Sequence, residues 1–416
     1  MSIIKFLFAV IVLAALGLGG AYFWAGRGAH PNIEIHQPTK LIGQAGTLSV
    51  TVDVPGGALS ALDVRLEQNG RFFPLFALGS TTSATLYQEN AERTRVSGPL
   101  GRQSLSDLRP GAARLFVMAR RPVLFGLRQL ESQAVRDLKV QFEPPRLEIL
   151  SSHHYVNHGG SELVVYRVSP ADAESGVTVG DRKYPGYSAA RAGVGTDPAV
   201  RLTFFALLYD QDLNTPIQLF ARDEAANEAS ARFDHQAFPK PFARSRIELT
   251  DSFLTRAVPV IVQSSPELGL DPPTGDQLLP AFLKINGELR RRNAETIAAL
   301  AQKTSTSMLW SGAFQQLGNS QVESRFADHR TYFYRGTEVD QQVHLGFDLA
   351  VTSSVPVLAA NAGIILHASN LGIYGNMVLI DHGLGVQSLY AHLSTFAVKV
   401  GDRVEKGQRK IGRAHV

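Results

Sequence analysis

The stretch Val343–Ala350 reads VHLGFDLA. An imidazole, His344, and a carboxylate, Asp348, stand four residues apart with Gly346 between them. Both side chains are good zinc ligands, and a catalytic zinc commonly takes three protein ligands plus a water. In a straight strand the two would share a face yet lie roughly 13 Å apart, at about 3.3 Å per residue. One ion cannot be gripped across that span. Gly346 permits the chain to bend and bring them together. By itself the spacing is common, and a His and an Asp in a loop are more often a surface hydrogen-bonded pair. The chain has no cysteine, so any metal must be held by His, Asp or Glu.

The elements that would carry these residues follow from pattern. At 416 residues the chain is too long for one core, and two to four domains are expected. Apolar residues make up 44% and charged residues 19%, which excludes a disordered chain. A net charge of +4 makes no case for nucleic acid. Phe6–Ala25 carries no charge, and twenty residues at about 1.5 Å each match the roughly 30 Å hydrocarbon core of a bilayer. Tyr22, Phe23 and Trp24 stand where an interfacial aromatic belt would lie. Residues 1–29 are therefore expected to be an uncleaved transmembrane anchor; a cleaved signal peptide is the rival. The main body would then lie outside the cytoplasm, on a single-pass inner-membrane protein.

The expected fold is mainly β. Residues 30–143 alternate apolar and polar, with Asn69-Gly70 marking a hairpin, and Pro144-Pro145 breaks the pattern. Residues 144–245 form a second β block. The two blocks resemble immunoglobulin-like sandwiches. Residues 246–309 are expected to be a helical connector, since Leu279, Phe282, Leu283, Ile285, Leu289, Ile297 and Leu300 recur near helical spacing. Thr274 or Asp276 could cap that helix, Gly287 weakens its middle, and Arg290–Arg292 read as a solvated face. From residue 310 onward short strands alternate with glycine-rich turns.

Four ordered stretches stand in this last block: HLGFDLA, VPVLAANAGIILHAS, YGNMVLIDHGLGVQSLYAHLS and VKVGDRVEKGQ. Together they resemble the lysostaphin-like (LytM-type) zinc metalloendopeptidases, over roughly Trp310 to Gln408. The resemblance implies an antiparallel β peptidase domain over 310–416 that cuts peptide cross-links of bacterial peptidoglycan. It implies Zn²⁺ as cofactor, His344 and Asp348 as metal ligands, and His392 of YAHLS as a catalytic residue beside the metal-bound water. The chemistry is consistent with this. Zinc activates water and polarises the amide carbonyl, and an imidazole nearby can orient the water or stabilise the oxyanion. Packing of His392 against a backbone group is the plainer alternative. Asp381-His382-Gly383 reads as a turn, with His382 fixing loop geometry, and His367 lies at a strand end. His153 and His154 would point to opposite faces of a strand. Asp328, His329 and Arg330 would line a cleft without a catalytic role.

The family ends on a His-x-His segment that supplies the third ligand, and KGQRKIGRAHV does not match it. A common sequencing-library adapter would encode Ile411–Val416. The expectation is a C-terminally truncated, incomplete site, inactive as it stands; a degenerate terminus is the rival. The alternative function is a non-catalytic envelope protein that binds peptidoglycan or activates hydrolases. Expected partners are peptidoglycan peptides, the inner membrane and an envelope regulator, with no nucleic acid.

Overall fold

The computed structural model describes residues 2–56, 59–351 and 355–414. His415 and Val416, at the end of the segment expected to be adapter-encoded, lie outside the described residues. The chain divides into two compact units. One is Met1–Arg146 with Asp172–Glu174 and Ala221–Ser230; the other holds Leu147–Ala171, Ser175–Phe220 and Ala231–Val416.

In the first unit, alternation produces two sheets that bury one face each. Asn32–Gln37, Thr47–Asp53, Arg93–Pro99 and Thr85–Gln88 form one, in that order. Leu41–Ile42, Arg128–Val140, Gly111–Val123, Ala61–Gln68 and Arg71–Ala77 form the other. Val50, Val52 and Val96 of the first sheet share a buried core with Val64, Leu66, Leu115 and Val117 of the second. Gln68 pairs with Arg71. Asn69 and Gly70 between them both take positive φ, 53° and 76°. That is the turn whose twist suits a two-residue hairpin.

The N-terminal helix α1 (Ser2–Ala25) belongs to this unit. Its described apolar side chains, Phe6, Phe8, Leu13, Leu16 and Leu18 among them, are exposed. Among the described residues no helix is long and apolar enough to cross a membrane.

The second unit starts from another pair of sheets. Arg146–Ile149, Ser161–Ser169, Val200–Ala206 and Tyr187–Ser188 form one. Arg182–Pro185, Glu174–Val179, Ile217–Arg222 and Glu228–Arg232 form the other. Tyr166 is fully buried between them, and its hydroxyl meets Ser175 Oγ at 2.9 Å.

The segment after residue 243 is more than a linker. Arg244–Leu249 pairs in parallel with Asp328–Tyr334, which pairs antiparallel with Thr337–His344. Two helices and a π-turn cover this trio. Helix α2 (Asp251–Gln263) opens on Thr250, whose hydroxyl accepts from the Phe253 amide at 3.2 Å. It lies within the expected helical connector, buries Leu254, Val258 and Val262 at helical spacing, and runs through Pro259. Helix α3 (Leu278–Lys284) continues through a π-turn, Ile285–Leu289, into α4 (Arg290–Ala301). Gly287 sits inside the π-turn, so the weak point in the pattern is a real irregularity. Thr274 precedes a short 3₁₀ turn and makes no capping bond. Leu254, Val258, Phe282, Ile285 and Leu289 pack with Leu249 and Tyr332. This apolar cover holds the strand that ends in His344.

The remaining strands make a six-stranded sheet in the order Pro356–Leu358, Arg409–Ala414, Val386–Phe396, Asn376–Gly383, Gly363–Asn370, Arg403–Val404. Ile365, Val378, Ile380 and Leu393 form its core.

Candidate metal centre

The strand Thr337–His344 stops at His344 and the strand Asp348–Ala350 starts at Asp348. Between them the chain bends at Gly346. Asp348 pairs onward with Ser324 of the strand Gln321–Ser324, while His344 pairs with Asp328. The two residues thus end one ladder and begin another. The bend brings His344 Nε2 to 3.3 Å from Asp348 Oδ1, against the roughly 13 Å of a straight strand.

The groups behind this pair orient it. His344 Nδ1 lies 3.3 Å from the Arg325 carbonyl oxygen and 3.2 Å from Ser324 Oγ. With Nδ1 turned to that carbonyl, Nε2 is the ring nitrogen that faces Asp348 Oδ1, to which its N–H donates. The second oxygen of the carboxylate, Oδ2, accepts from Arg330 Nη2 at 3.1 Å. Arg330 also donates to Ser324 Oγ at 2.6 Å and, through Nε, to Asp328 Oδ2 at 3.2 Å. Asp328 is buried, and its Oδ1 accepts from Ser245 Oγ at 2.9 Å.

The electrostatics follow the contacts. The His344 hydrogen bond, above all, pulls the Asp348 carboxyl down to about 2; partial burial opposes it, and the His344 charge and Arg330 add to it. Burial works against the Arg330 charge, but hydrogen bonds to Asp348 and Asp328 outweigh it and raise its pKa. Asp348 is therefore an anion at any working pH.

A tetrahedral zinc with ligand bonds of about 2.0–2.1 Å sets its ligand atoms about 3.3–3.4 Å apart. The His344–Asp348 separation matches that edge, and the donor set, one imidazole and one carboxylate, suits zinc. Among the described residues no group of three or more His, Asp or Glu is placed to hold a metal. The residues fit as two members of a metal site.

His392 lies on the six-stranded sheet, in Val386–Phe396. Tyr390 pairs with Val378 and Leu393 with Asn376, so the register slips beside His392 and leaves it in a bulge. Its φ is 54°, a left-handed value that non-glycine residues adopt infrequently, histidine among the more tolerant of them. Its Nδ1 is 3.9 Å from where a side chain on Gly375 would begin.

The other histidines weighed from the sequence bond or pack elsewhere. His382 is fully buried; its Nδ1 bonds the Ala362 carbonyl and its Nε2 bonds Ser388 Oγ, both at 2.7 Å. Burial pushes its pKa down. Asp381 beside it receives the Ser305 and Gly383 amides. His329 packs against Tyr209 and Phe242. His367 bonds Ser369. His154 is buried and bonded to Ser151, and His153 is exposed. Sequence reasoning underrated Arg330 and passed over Ser324 and Ser245. The available signal was the Asp328-x-Arg330 alternation, which puts acid and base on one face.

The model of Peptidase family M23 matches residues 342–415. Residues 342–415 are an M23 peptidase domain. A stretch of 61 residues is 43% identical to DD-carboxypeptidase/endopeptidase Mpg of Neisseria meningitidis serogroup B, covering 15% of this chain and 14% of that protein. A stretch of 133 residues is 27% identical to peptidoglycan DD-endopeptidase ShyA of Vibrio cholerae, covering 32% of this chain and 27% of that one. The chain thus spans about a seventh of the Neisseria relative and about a quarter of the Vibrio one. A solved peptidase M23 structure from Pseudomonas aeruginosa aligns over 62% of this chain and 81% of its own, at 17% identity and a TM-score of 0.36. The M23 match begins two residues before His344, so the bent pair lies at the start of the domain.

Two outcomes follow from this geometry. Arg330→Ala frees Asp348 Oδ2, and metal affinity read by competition with a chelating dye is expected to fall about 10–100-fold. Arg330→Lys should recover part of it, because an ammonium reaches one acceptor but cannot fork. An unchanged affinity in Arg330→Ala contradicts the orienting role. The second outcome concerns acid. The carboxyl of Asp348 is held at about 2, below its ordinary 3.8. Its contribution to stability is therefore fully present above the ordinary value and lost as pH falls through that window. In chelator-treated protein, wild type should be more stable to denaturant than Asp348→Asn near neutral pH, and the two should converge in strong acid. A gap independent of pH contradicts the assignment.

Proposed function

We propose that the M23 domain is a zinc-dependent endopeptidase that hydrolyses peptide cross-links of peptidoglycan in cell-wall remodelling. The observation that carries this is the bent His344–Asp348 pair at 3.3 Å, with His344 Nδ1 turned to a carbonyl and Asp348 Oδ2 held by Arg330. His344 Nε2 and Asp348 Oδ1 would hold the ion. When bound, zinc supplies a polarising charge and a reactive water at neutral pH. Arg330 and Ser324 keep both ligands from rotating away. His392 exchanges a proton with the scissile amide through its imidazole, the role its bulged position supports. The peptidoglycan peptide as substrate is carried over from the named activities of the Neisseria and Vibrio relatives.

We read α1 as the inner-membrane anchor, with the body of the chain in the periplasm. Its 24 residues reach about 36 Å at 1.5 Å per residue, and Phe6–Ala25 is uncharged. In this reading the two pairs of β-sheets are immunoglobulin-like domains.

A second reading, a non-catalytic peptidoglycan-binding or hydrolase-activating module, is favoured by one observation. Asp348 already accepts hydrogen bonds from Arg330 and His344, so the carboxylate has partners without an ion. Incubating the full chain and zinc with cross-linked muropeptide dimers, followed by mass spectrometry, separates the two. Release of monomers, reduced by more than about 10²-fold in His344→Ala, Asp348→Ala and His392→Ala, supports the peptidase and overturns the expectation that the chain is inactive as it stands. Retention of dimers with no release, unaffected by the three substitutions, supports the binding module and contradicts the peptidase.

A further inference from the structure

The longest hairpin of the first unit, Gly111–Val123 with Arg128–Val140, closes where Val123 pairs with Arg128. Its tip is Leu124-Phe125-Gly126-Leu127. A loop tip facing water is ordinarily polar. Here Phe125 is completely exposed, at 104%, and Leu127 is 69% exposed. Leu124 and Phe125 both take left-handed φ, 51° and 56°, which is rare for bulky apolar residues. The backbone thus holds an apolar tip outward in a conformation that these residue types disfavour.

The tip lies against the last turn of α1. Arg128 Nη1 donates to the Tyr22 carbonyl at 2.5 Å, and its guanidinium lies 4.8 Å from the Tyr22 ring. Arg27 stacks 4.9 Å from the Phe23 ring. Phe23 and Trp24 are 65% and 77% exposed. The hairpin tip and the aromatic end of α1 therefore form neighbouring parts of one apolar surface.

The charge around it has one sign. Residues 1–33 contain no Asp or Glu, and residues 111–130 contain four Arg and no acid. Arg114 pairs with Glu67 and Arg120 with Glu131. Among the described residues no carboxylate pairs with Arg27, Arg121 or Arg128. The Arg121 Nε is buried without a hydrogen-bond partner. Large apolar side chains beside an aromatic belt, ringed by guanidinium groups, are complementary to the headgroup boundary of an anionic bilayer.

We propose that the Leu124–Leu127 tip inserts into the headgroup region of an anionic lipid bilayer, as a second membrane contact beside α1. This rests on the reading of α1 as a membrane anchor. Two contacts, one a helix and one a hairpin tip, fix the tilt of the first sandwich on the lipid surface, which one helix cannot do.

The absence of cysteine makes the test direct. The environment-sensitive fluorophore NBD is attached to single cysteines in the full chain at Phe125→Cys, Leu127→Cys, Ile11→Cys in α1, or Arg71→Cys at the opposite end of the sandwich. Each protein is reconstituted in vesicles of phosphatidylethanolamine with phosphatidylglycerol, with and without nitroxide-headgroup lipid. Positions 125 and 127 should show blue-shifted emission quenched several-fold by the nitroxide, and position 71 should show neither. Water-like, unquenched emission at 125 and 127, with position 11 in the bilayer, overturns the proposal and leaves the anchor standing. Water-like emission at all positions overturns both. A blue shift at 125 without lipid quenching means that protein covers the tip, and also overturns the proposal.

Discussion

Everything argued about the M23 domain depends on one change of chain direction. Two residues four apart on an extended chain cannot share a ligand, and the bend at Gly346 converts their distance from roughly 13 Å to 3.3 Å. The bend has value because the groups on both sides of it are fixed. His344 ends a strand paired to Asp328, and Asp348 begins a strand paired to Ser324. Each side chain is thus positioned by its own ladder, and only three residues between them are irregular.

That arrangement explains the rest of the second unit. The strand carrying His344 is the outer member of a three-stranded sheet, and one face of that sheet needs an apolar cover. Helices α2 and α3 and the π-turn supply it through Leu254, Phe282, Ile285 and Leu289. The parallel partner strand, Arg244–Leu249, carries Ser245 to Asp328. A chain of polar contacts then runs from Ser245 through Asp328 and Arg330 to Asp348. Asp328, the buried member, would be costly left unsatisfied, and it is held by Ser245 and Arg330.

Much of this was legible in the sequence. The hairpin at Asn69-Gly70 followed from turn chemistry, since both positions need positive φ. The His344–Asp348 pair followed from ligand chemistry and a glycine between them. The irregularity at Gly287 and the buried, structural His382 also followed from local pattern. Helix α2 falls within the expected helical connector, but the strand Arg244–Leu249 that leads into it was hidden, because its parallel partner Asp328–Tyr334 lies some eighty residues away in the chain. The role of Arg330 was hidden for a different reason. Its partners Ser324, Asp328 and Asp348 become neighbours only through pairing registers, which no local window contains. The bulge at His392 is likewise a property of two strands together.

The central claim is that His344 and Asp348 share one metal ion. Zinc K-edge X-ray absorption on the zinc-loaded full chain tests it most directly. The account predicts a nitrogen/oxygen shell at about 2.0–2.1 Å with imidazole multiple scattering. That imidazole signal should weaken in His344→Ala, and the shell should lose an oxygen in Asp348→Ala. Spectra from both variants identical to wild type would contradict it.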